Sequence, residues 1–363
     1  YWSRLDACLR GIRTPFQGDE HEAEQTLDSL LRNVIRMRMV TDVPLGAFLS
    51  GGVDSSTIVS LMQSVSSQPV KTFTMAFEEP EFNEAPYALA VAKHLGTDHT
   101  ETFVSARDAL NVIPLLPSIY DEPFADSSQI PTFLVSKIAR QQVTVALSGD
   151  GGDELFGGYN RHTWGKSAWR LAQLPGPVRK GIASGLGVLS PALWNGLFQT
   201  LGPLLPQRLK LSQPGEKVQK LASLLRTNHP ETICRTLSSQ WTEQDLVLGA
   251  TDLDTVFSSP QLRSLSDFSE KMMYLDLVGY LPDDILVKVD RASMAVSLES
   301  RAPFLDHRLV EFAWSLPLNM KIRQGVTKFL LRKVLDRYVP QSLIERPKMG
   351  FSVPIEHWIR GPL

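Results

Sequence analysis

An apolar run at 44–49 passes through Ser50-Gly51-Gly52-Val53-Asp54-Ser55-Ser56 directly into a helical pattern at 57–65. A strand that hands over to a helix through two adjacent glycines leaves few architectures open. The glycines let the backbone turn sharply and approach a ligand closely. The helix start presents unpaired N–H groups and a partial positive charge. Serine hydroxyls add donors, so the segment reads as a phosphate cradle. It carries no cation of its own, because no Lys or Arg lies between Met39 and Gln68. Asp54 inside it would repel phosphate unless a cation bridges the two. Mg²⁺ suits that place, being hard and commonly shared between one or two carboxylates and phosphate oxygens. The plainer reading is a serine–glycine turn in which Asp54 or Ser55 caps a helix. The strand before it and the helix after it favour the cradle.

The same alternation continues along the chain. Residues 22–39 read as a helix, with Leu27, Leu30, Leu31, Val34 and Ile35 recurring at three and four spacing. Strands are expected at 70–77, 99–104 and 143–147, and helices at 85–95, 106–120 and 128–140. Strand and helix in turn imply βαβ units and a parallel sheet. Past Trp164 the strand signal fades and residues 215–339 look mostly helical. The expected organisation is a linker or lead-in over 1–22, an α/β domain over 23–165 and a mainly helical region over 166–363 that completes the active site. Of the 363 residues, 43% are hydrophobic and 21% charged, which argues against a disordered or fibrous chain. Lys plus Arg is 37 and Asp plus Glu 39, so 37 − 39 gives −2, too little positive charge for a general nucleic-acid binder. Cys8 and Cys234 alone build no disulfide framework. No apolar run approaches the roughly 18 residues of a membrane span. A reducing, cytoplasmic setting without nucleic-acid or membrane partners is expected.

A second loop, Ser148-Gly149-Asp150-Gly151-Gly152-Asp153-Glu154, also follows an apolar strand. Three carboxylates in five residues repel one another and call for a cation or an amine. Loops at the carboxyl ends of parallel strands form the ligand crevice of such sheets, so this loop and 50–56 should share one edge. Asp126 or Ser127, in the 121–128 stretch, should reach the same edge, with Ser127 or Ser128 as a simple helix cap in the plainer reading. The charged run Asp283-Asp284, Lys288, Asp290-Arg291 and Glu299-Ser300-Arg301 lies among apolar residues, and part of it should form a buried network. Lys328 sits in a helical pattern with Arg332 four residues on.

SGGVDSS at 50–56 resembles the pyrophosphate loop of the N-type ATP pyrophosphatases, which share the adenine nucleotide alpha hydrolase-like fold. Three further stretches resemble the synthetase domain of glutamine-hydrolysing asparagine synthetases: SGDGGDELFGGY at 148–159, LPDDILVKVDRASMAVSLESRAPFLDH at 281–307, and KFLLR with PKMGFSVP between 328 and 354. The resemblance runs from about residue 23 to the end. It implies ATP and Mg²⁺ as cofactors and amide synthesis through carboxylate adenylation, with aspartate as the expected acid. It places pyrophosphate and ATP on Ser50, Gly51, Gly52, Asp54, Ser55, Ser56 and Gly149, adenine on backbone groups near Met75, and Mg²⁺ on Asp54 and Asp153. Lys328 would balance the departing pyrophosphate, and Asp150, where relatives usually carry Glu, would face the acyl and ammonia side. Asp126, Ser127, Glu154 and Arg301 are further expected substrate contacts, and Lys348-Met349-Gly350-Phe351 a closing loop.

No glutaminase domain is recognisable in this sequence, so free ammonia is the expected nitrogen source, and a homodimer is left open. Related chemistries stay open too: sugar-carboxylate amidation, β-lactam formation and macrolactam closure. A tRNA-modifying enzyme with the same loop and an inactive nucleotide-binding scaffold are the rivals from other classes.

Overall fold

The computed structural model describes residues 2–77, 79, 82–201, 214–238, 262, 264–346 and 360–361. Five strands, β1 Leu45–Phe48, β2 Lys71–Phe77, β3 Asp98–Val104, β4 Val145–Leu147 and β5 Glu299–Arg301, form one sheet in the order β3-β2-β1-β4-β5. Every pairing is parallel. The chain steps outward from β1 to β2 to β3, then returns to the far side of β1 for β4. The order therefore reverses between β1 and β4, which makes the carboxyl ends of those two strands the ligand crevice. β1 and β4 read as unbroken apolar runs because helices cover both faces of the sheet.

The helices before the break are α1 Arg4–Arg13, α2 Glu20–Arg38, α3 Val53–Val65, α4 Ala85–Leu95, α5 Ala106–Val112, α6 Leu116–Tyr120, α7 Gln129–Arg140 and α8 Gly152–Phe156. Then come α9 Asn160–Ala172, α10 Gly176–Gly187, α11 Pro191–Leu201, α12 Pro214–Leu224, α13 Pro230–Ser238 and α14 Phe268–Leu275. A π-helix over Asp276–Leu286 precedes α15 Val287–Met294, α16 His307–Ser315, α17 Leu318–Lys321, α18 Phe329–Asp336 and α19 Gln341–Ile344.

The chain divides into two compact units, one of residues 1–158 with 276–363 and one of 159–275. The boundaries differ from the expected single break after residue 165. Residues 276–346, expected in the helical region, pack into the same unit as the sheet and add β5 to it. Charged Glu299 and Arg301 hid that strand from a periodicity reading. In the second unit Trp169 stacks on Phe268 at 5.7 Å and Lys166 pairs with Asp267 at 2.6 Å.

Two further expectations need correcting. Residues 1–22 are not a bare linker: α1 is capped by the Ser3 side chain and packs on α16, and the Trp2 Nε1–H donates to Glu311 at 3.0 Å. The helix expected over 106–120 is broken into α5, a 3₁₀ turn and α6. Pro114 and Pro117 explain the break, since neither offers an N–H to the preceding turn. Among the described residues no helix is long and apolar enough to cross a membrane.

Candidate active site

The loop after β1 is wound around its own serines. The Ser50 and Ser55 hydroxyls meet at 3.0 Å, the Ser50 N–H donates to Ser55 Oγ at 3.2 Å, and the Gly52 N–H donates to Ser50 Oγ at 3.3 Å. Gly51 takes a left-handed φ of +73°, and a Cβ there would lie 2.7 Å from the Tyr87 carbonyl carbon. Only glycine satisfies both demands. Gly52 caps α3 without a side chain, so the first helical N–H groups face the crevice unblocked. Ser56 is fully buried, and its hydroxyl has no partner among the described residues.

The loop after β4 lies directly against this cradle. A Cβ on Gly149 would come within 2.9 Å of Asp54 Cβ, and one on Gly152 within 2.6 Å of Asp54 Oδ1. Small residues on the second loop thus let the two loops touch. Gly151, at φ +95°, makes the turn into α8.

Lys328 arrives from far along the chain to join them. Its Nζ bonds Asp54 Oδ2 and lies 2.7 Å from Asp153 Oδ1, with only 6% of its side chain exposed. Burial pulls the ammonium down, yet the Asp153 and Asp54 carboxylates outweigh it and hold the group above the ordinary lysine range. Lys328 is not within a helix, as the sequence pattern suggested. It is the N-cap of α18 in left-handed conformation, φ +56°. Its N–H donates to the Phe156 carbonyl at 3.1 Å, which ties it to the end of α8. A non-glycine residue in this region costs about 1 kcal/mol, offset here by that bond and the two carboxylates.

The donor set fits Mg²⁺. Two hard carboxylates, Asp54 and Asp153, converge on one cation position beside a phosphate cradle, and the Lys328 ammonium holds that position's charge. Among the described residues no cluster of three or more His, Cys, Asp and Glu exists. Mg²⁺ is usually bound by one or two carboxylates, with phosphate and water completing the octahedron, so a two-carboxylate site suits it better than an all-protein cage.

Asp150 accepts from the Ser148 hydroxyl at 2.8 Å. Burial raises its carboxyl above the usual range; Ser148 and Lys288 oppose the rise and Asp153 adds to it. Nearby, Lys288 bonds Asp126 Oδ2 at 2.5 Å and Ser128 Oγ at 2.8 Å, with Asp284 at 4.0 Å. Burial would raise the Asp126 carboxyl, but Lys288 reverses this and holds it low. Asp284 goes the other way: burial, with Asp126 adding, pushes it up to about 6 against the pull of Lys288. A carboxyl that binds its proton more tightly folded than unfolded loses stability as pH rises from about 4 to about 6, and the full penalty remains above that window. Asp284→Asn removes the penalty. The variant should melt a few degrees above wild type near pH 8, about 1 kcal/mol after allowing for partial exposure, with the gap closing towards about pH 4.5. Thermal melts at the two pH values check this; a gap independent of pH would assign the gain to something else.

Not every expected contact joins this group. The Arg301 side chain, an expected substrate contact, is taken up elsewhere. It pairs with Glu299 at 2.6 Å and donates to the Arg38 and Val40 carbonyls at 2.7 and 3.0 Å, fixing β5 to the end of α2. Asp126 is held by Lys288 and closes a turn on the Ser128 N–H and hydroxyl at 2.8 and 2.7 Å. Ser127 is half-buried in that turn. Glu154 is buried on α8. Met75 lies within β2 and its side chain belongs to the core cluster that includes Phe73 and Val135, which leaves only its backbone groups for the expected adenine contact. Lys348-Met349-Gly350-Phe351 lie outside the described residues.

Sequence reasoning missed three contributors. Gly158 passes so close to the Asp153–Lys328 pair that a Cβ would lie 1.9 Å from Asp153 Oδ1. Arg346 donates to the Ser50 carbonyl at 3.1 Å and to Glu84 at 2.7 Å. The Tyr120 hydroxyl donates to the Lys288 carbonyl at 3.2 Å. The doubled glycine of 157–158 was the available signal for the first; the other two carry none.

The asparagine synthase family model matches residues 26–363. The chain is similar to glutamine-hydrolyzing asparagine synthetase 1 of Bacillus subtilis, 33% identical over 96% of this chain and 52% of that protein. It is 35% identical to a Mycobacterium bovis protein provisionally named glutamine-hydrolyzing asparagine synthetase, over 97% of this chain and 51% of the relative. A more distant relative, amidase chyE of Penicillium rubens, is 24% identical over 95% of this chain and 54% of its own length. The chain therefore spans about half the length of the curated relatives it matches.

Proposed function

The chain belongs to the asparagine synthase family, and from that membership we propose that it carries out ATP-dependent amide formation, converting aspartate to asparagine with release of AMP and pyrophosphate. The observation that carries the reading is one ammonium, Lys328, meeting two carboxylates from two separate strand ends, Asp54 and Asp153.

The cofactors are ATP and Mg²⁺. In the first step an oxygen of the substrate's side-chain carboxylate bonds to the α-phosphorus, and the bond to the pyrophosphate oxygen breaks. In the second, ammonia bonds to the acyl carbon, a proton is lost, and AMP departs. Held by Asp54 and Asp153, Mg²⁺ would supply positive charge to the phosphate oxygens and make pyrophosphate a better leaving group. The chain's own residues do the rest. The N–H groups at the start of α3 and the Ser50 and Ser55 hydroxyls grip the phosphates, Asp54 and Asp153 hold the metal, and Lys328 faces the charge that grows as pyrophosphate leaves. Asp150, whose carboxyl burial raises, is the group proposed to face the acyl carbon and take up the proton that is lost. The relatives' names include glutamine hydrolysis; ammonia supplied by such a reaction is the nitrogen source proposed here.

The test is to incubate the chain with ATP, Mg²⁺, ammonium and each of a panel of acids, following pyrophosphate, AMP and amide. Aspartate should give the three products in equal amounts. A larger turnover with another acid would replace the substrate while leaving the adenylation chemistry in place. No pyrophosphate with any acid would overturn the reading. Asp54→Asn should lower pyrophosphate release by about 10²–10³-fold, since it removes one of two metal carboxylates and a partner of Lys328.

A further inference from the structure

Lys288 is buried, with 8% of its side chain exposed, yet it lies outside the phosphate-gripping machinery. Its ammonium touches Asp126 at 2.5 Å and Ser128 at 2.8 Å, its charge reaches Asp150, and its carbonyl accepts from Tyr120. A buried ion pair is weak evidence for stability, because desolvating two charges cancels most of their attraction. The neighbouring α15–α7 packing is apolar, through Ala292, Val135 and Ala139, and does not require a charge there.

Position supplies the reason. α7 leads into β4 and so starts at the carboxyl edge of the sheet, while α15 continues from the π-helix Asp276–Leu286 and leads towards β5. Asp126 and Ser128 stand at the start of α7, and Lys288 in the first turn of α15. One ammonium thus ties the start of α7 to the junction where the π-helix passes into α15. Asp126 passes the constraint on, since its other oxygen fixes the Ser128 N–H and hydroxyl.

We propose that Lys288 is a positioning residue for the amidation step, holding the Asp126 turn at the start of α7, on the crevice edge of the sheet, so that ammonia reaches the activated acyl carbon ahead of water. The inference rests on the reaction proposed above. When the clamp is lost, the acyl-adenylate still forms but increasingly meets water, giving the free acid and AMP in place of amide and AMP. No other reactant is needed.

The experiment compares Lys288→Met and Lys288→Arg with wild type. It measures amide made per AMP released, kcat and KM for ammonium, and ATP–pyrophosphate exchange. Lys288→Met should lower kcat for amide about 30-fold, several times more than it lowers exchange, and drop amide per AMP from one to below about one half. Lys288→Arg, which keeps the charge, should recover most of that ratio. Exchange and amide formation falling by one common factor, with amide per AMP still at one, would overturn the proposal and leave Lys288 a structural ion pair. Unchanged kinetics in Lys288→Met would overturn it equally. Failure of wild type to release pyrophosphate with any acid is a different result: it removes the reaction itself.

Discussion

Lys328→Met should lower pyrophosphate release by about three orders of magnitude, and no concentration of Mg²⁺ should restore it. The cradle at 50–56 has backbone amides and hydroxyls but no cation. Lys328 is the ammonium that meets Asp54 and Asp153 there, and burial leaves it little water to share its charge with. A preorganised cation facing a departing phosphoryl group contributes about 10³-fold or more in comparable chemistry. Metal should not substitute, because Asp54 and Asp153 would hold it while the departing oxygens need a cation of their own. Mg²⁺ should instead show its presence in stability. With the ammonium gone, Asp54 and Asp153 repel, so Mg²⁺ alone should raise the melting temperature of the variant more than that of wild type. Activity within tenfold of wild type would remove Lys328 from the chemistry.

Gly158→Ala should cost at least about 10²-fold in the same assay while leaving the far-ultraviolet circular dichroism unchanged. The added Cβ would lie 1.9 Å from Asp153 Oδ1 and 2.1 Å from Lys328 Cε, distances no relaxed structure tolerates. The backbone cannot yield easily, because the Gly158 N–H donates to the Asp153 carbonyl at 2.8 Å and closes the end of α8. The side chains must yield, and a displacement of about 1 Å at reacting groups costs about 10²-fold. The effect is local, since α8 is a five-residue helix at the crevice and the sheet behind it keeps its contacts. Normal turnover in this variant would mean that the Asp153–Lys328 contact is dispensable.

The residues that resisted reading have a common character. Lys288 and Asp126 are separated by 162 positions, and Arg346 from Ser50 by 296. No local period links such pairs. β5 is three residues long with two charged members, so it carries no alternation to detect. Arg301 is expected at the substrate from its resemblance to the family's segment near the aspartate pocket, with structural ion pairing as the alternative; its guanidinium pairs with Glu299 and bonds the carbonyls of Arg38 and Val40 at the end of α2. α1 was missed because the turn formers at 13–18 governed the reading of the whole lead-in, although the helix itself is amphipathic and packs on α16.

Local chemistry is legible along the chain. It marked two apolar strands, each ending in a glycine-rich acidic loop that opens a helix, and a cradle without a cation that therefore needed one from elsewhere. Strand pairing, loop turns and helix starts depend on neighbours a few residues apart, so they are written in short windows of the chain. Which cation arrives, how Lys328 leaves helical geometry to reach two carboxylates, and which charges clamp the crevice rather than line it were decided by tertiary structure alone. Those outcomes depend on distances set by the whole sheet order, where burial makes an unpaired charge costly and so forces remote residues to find one another.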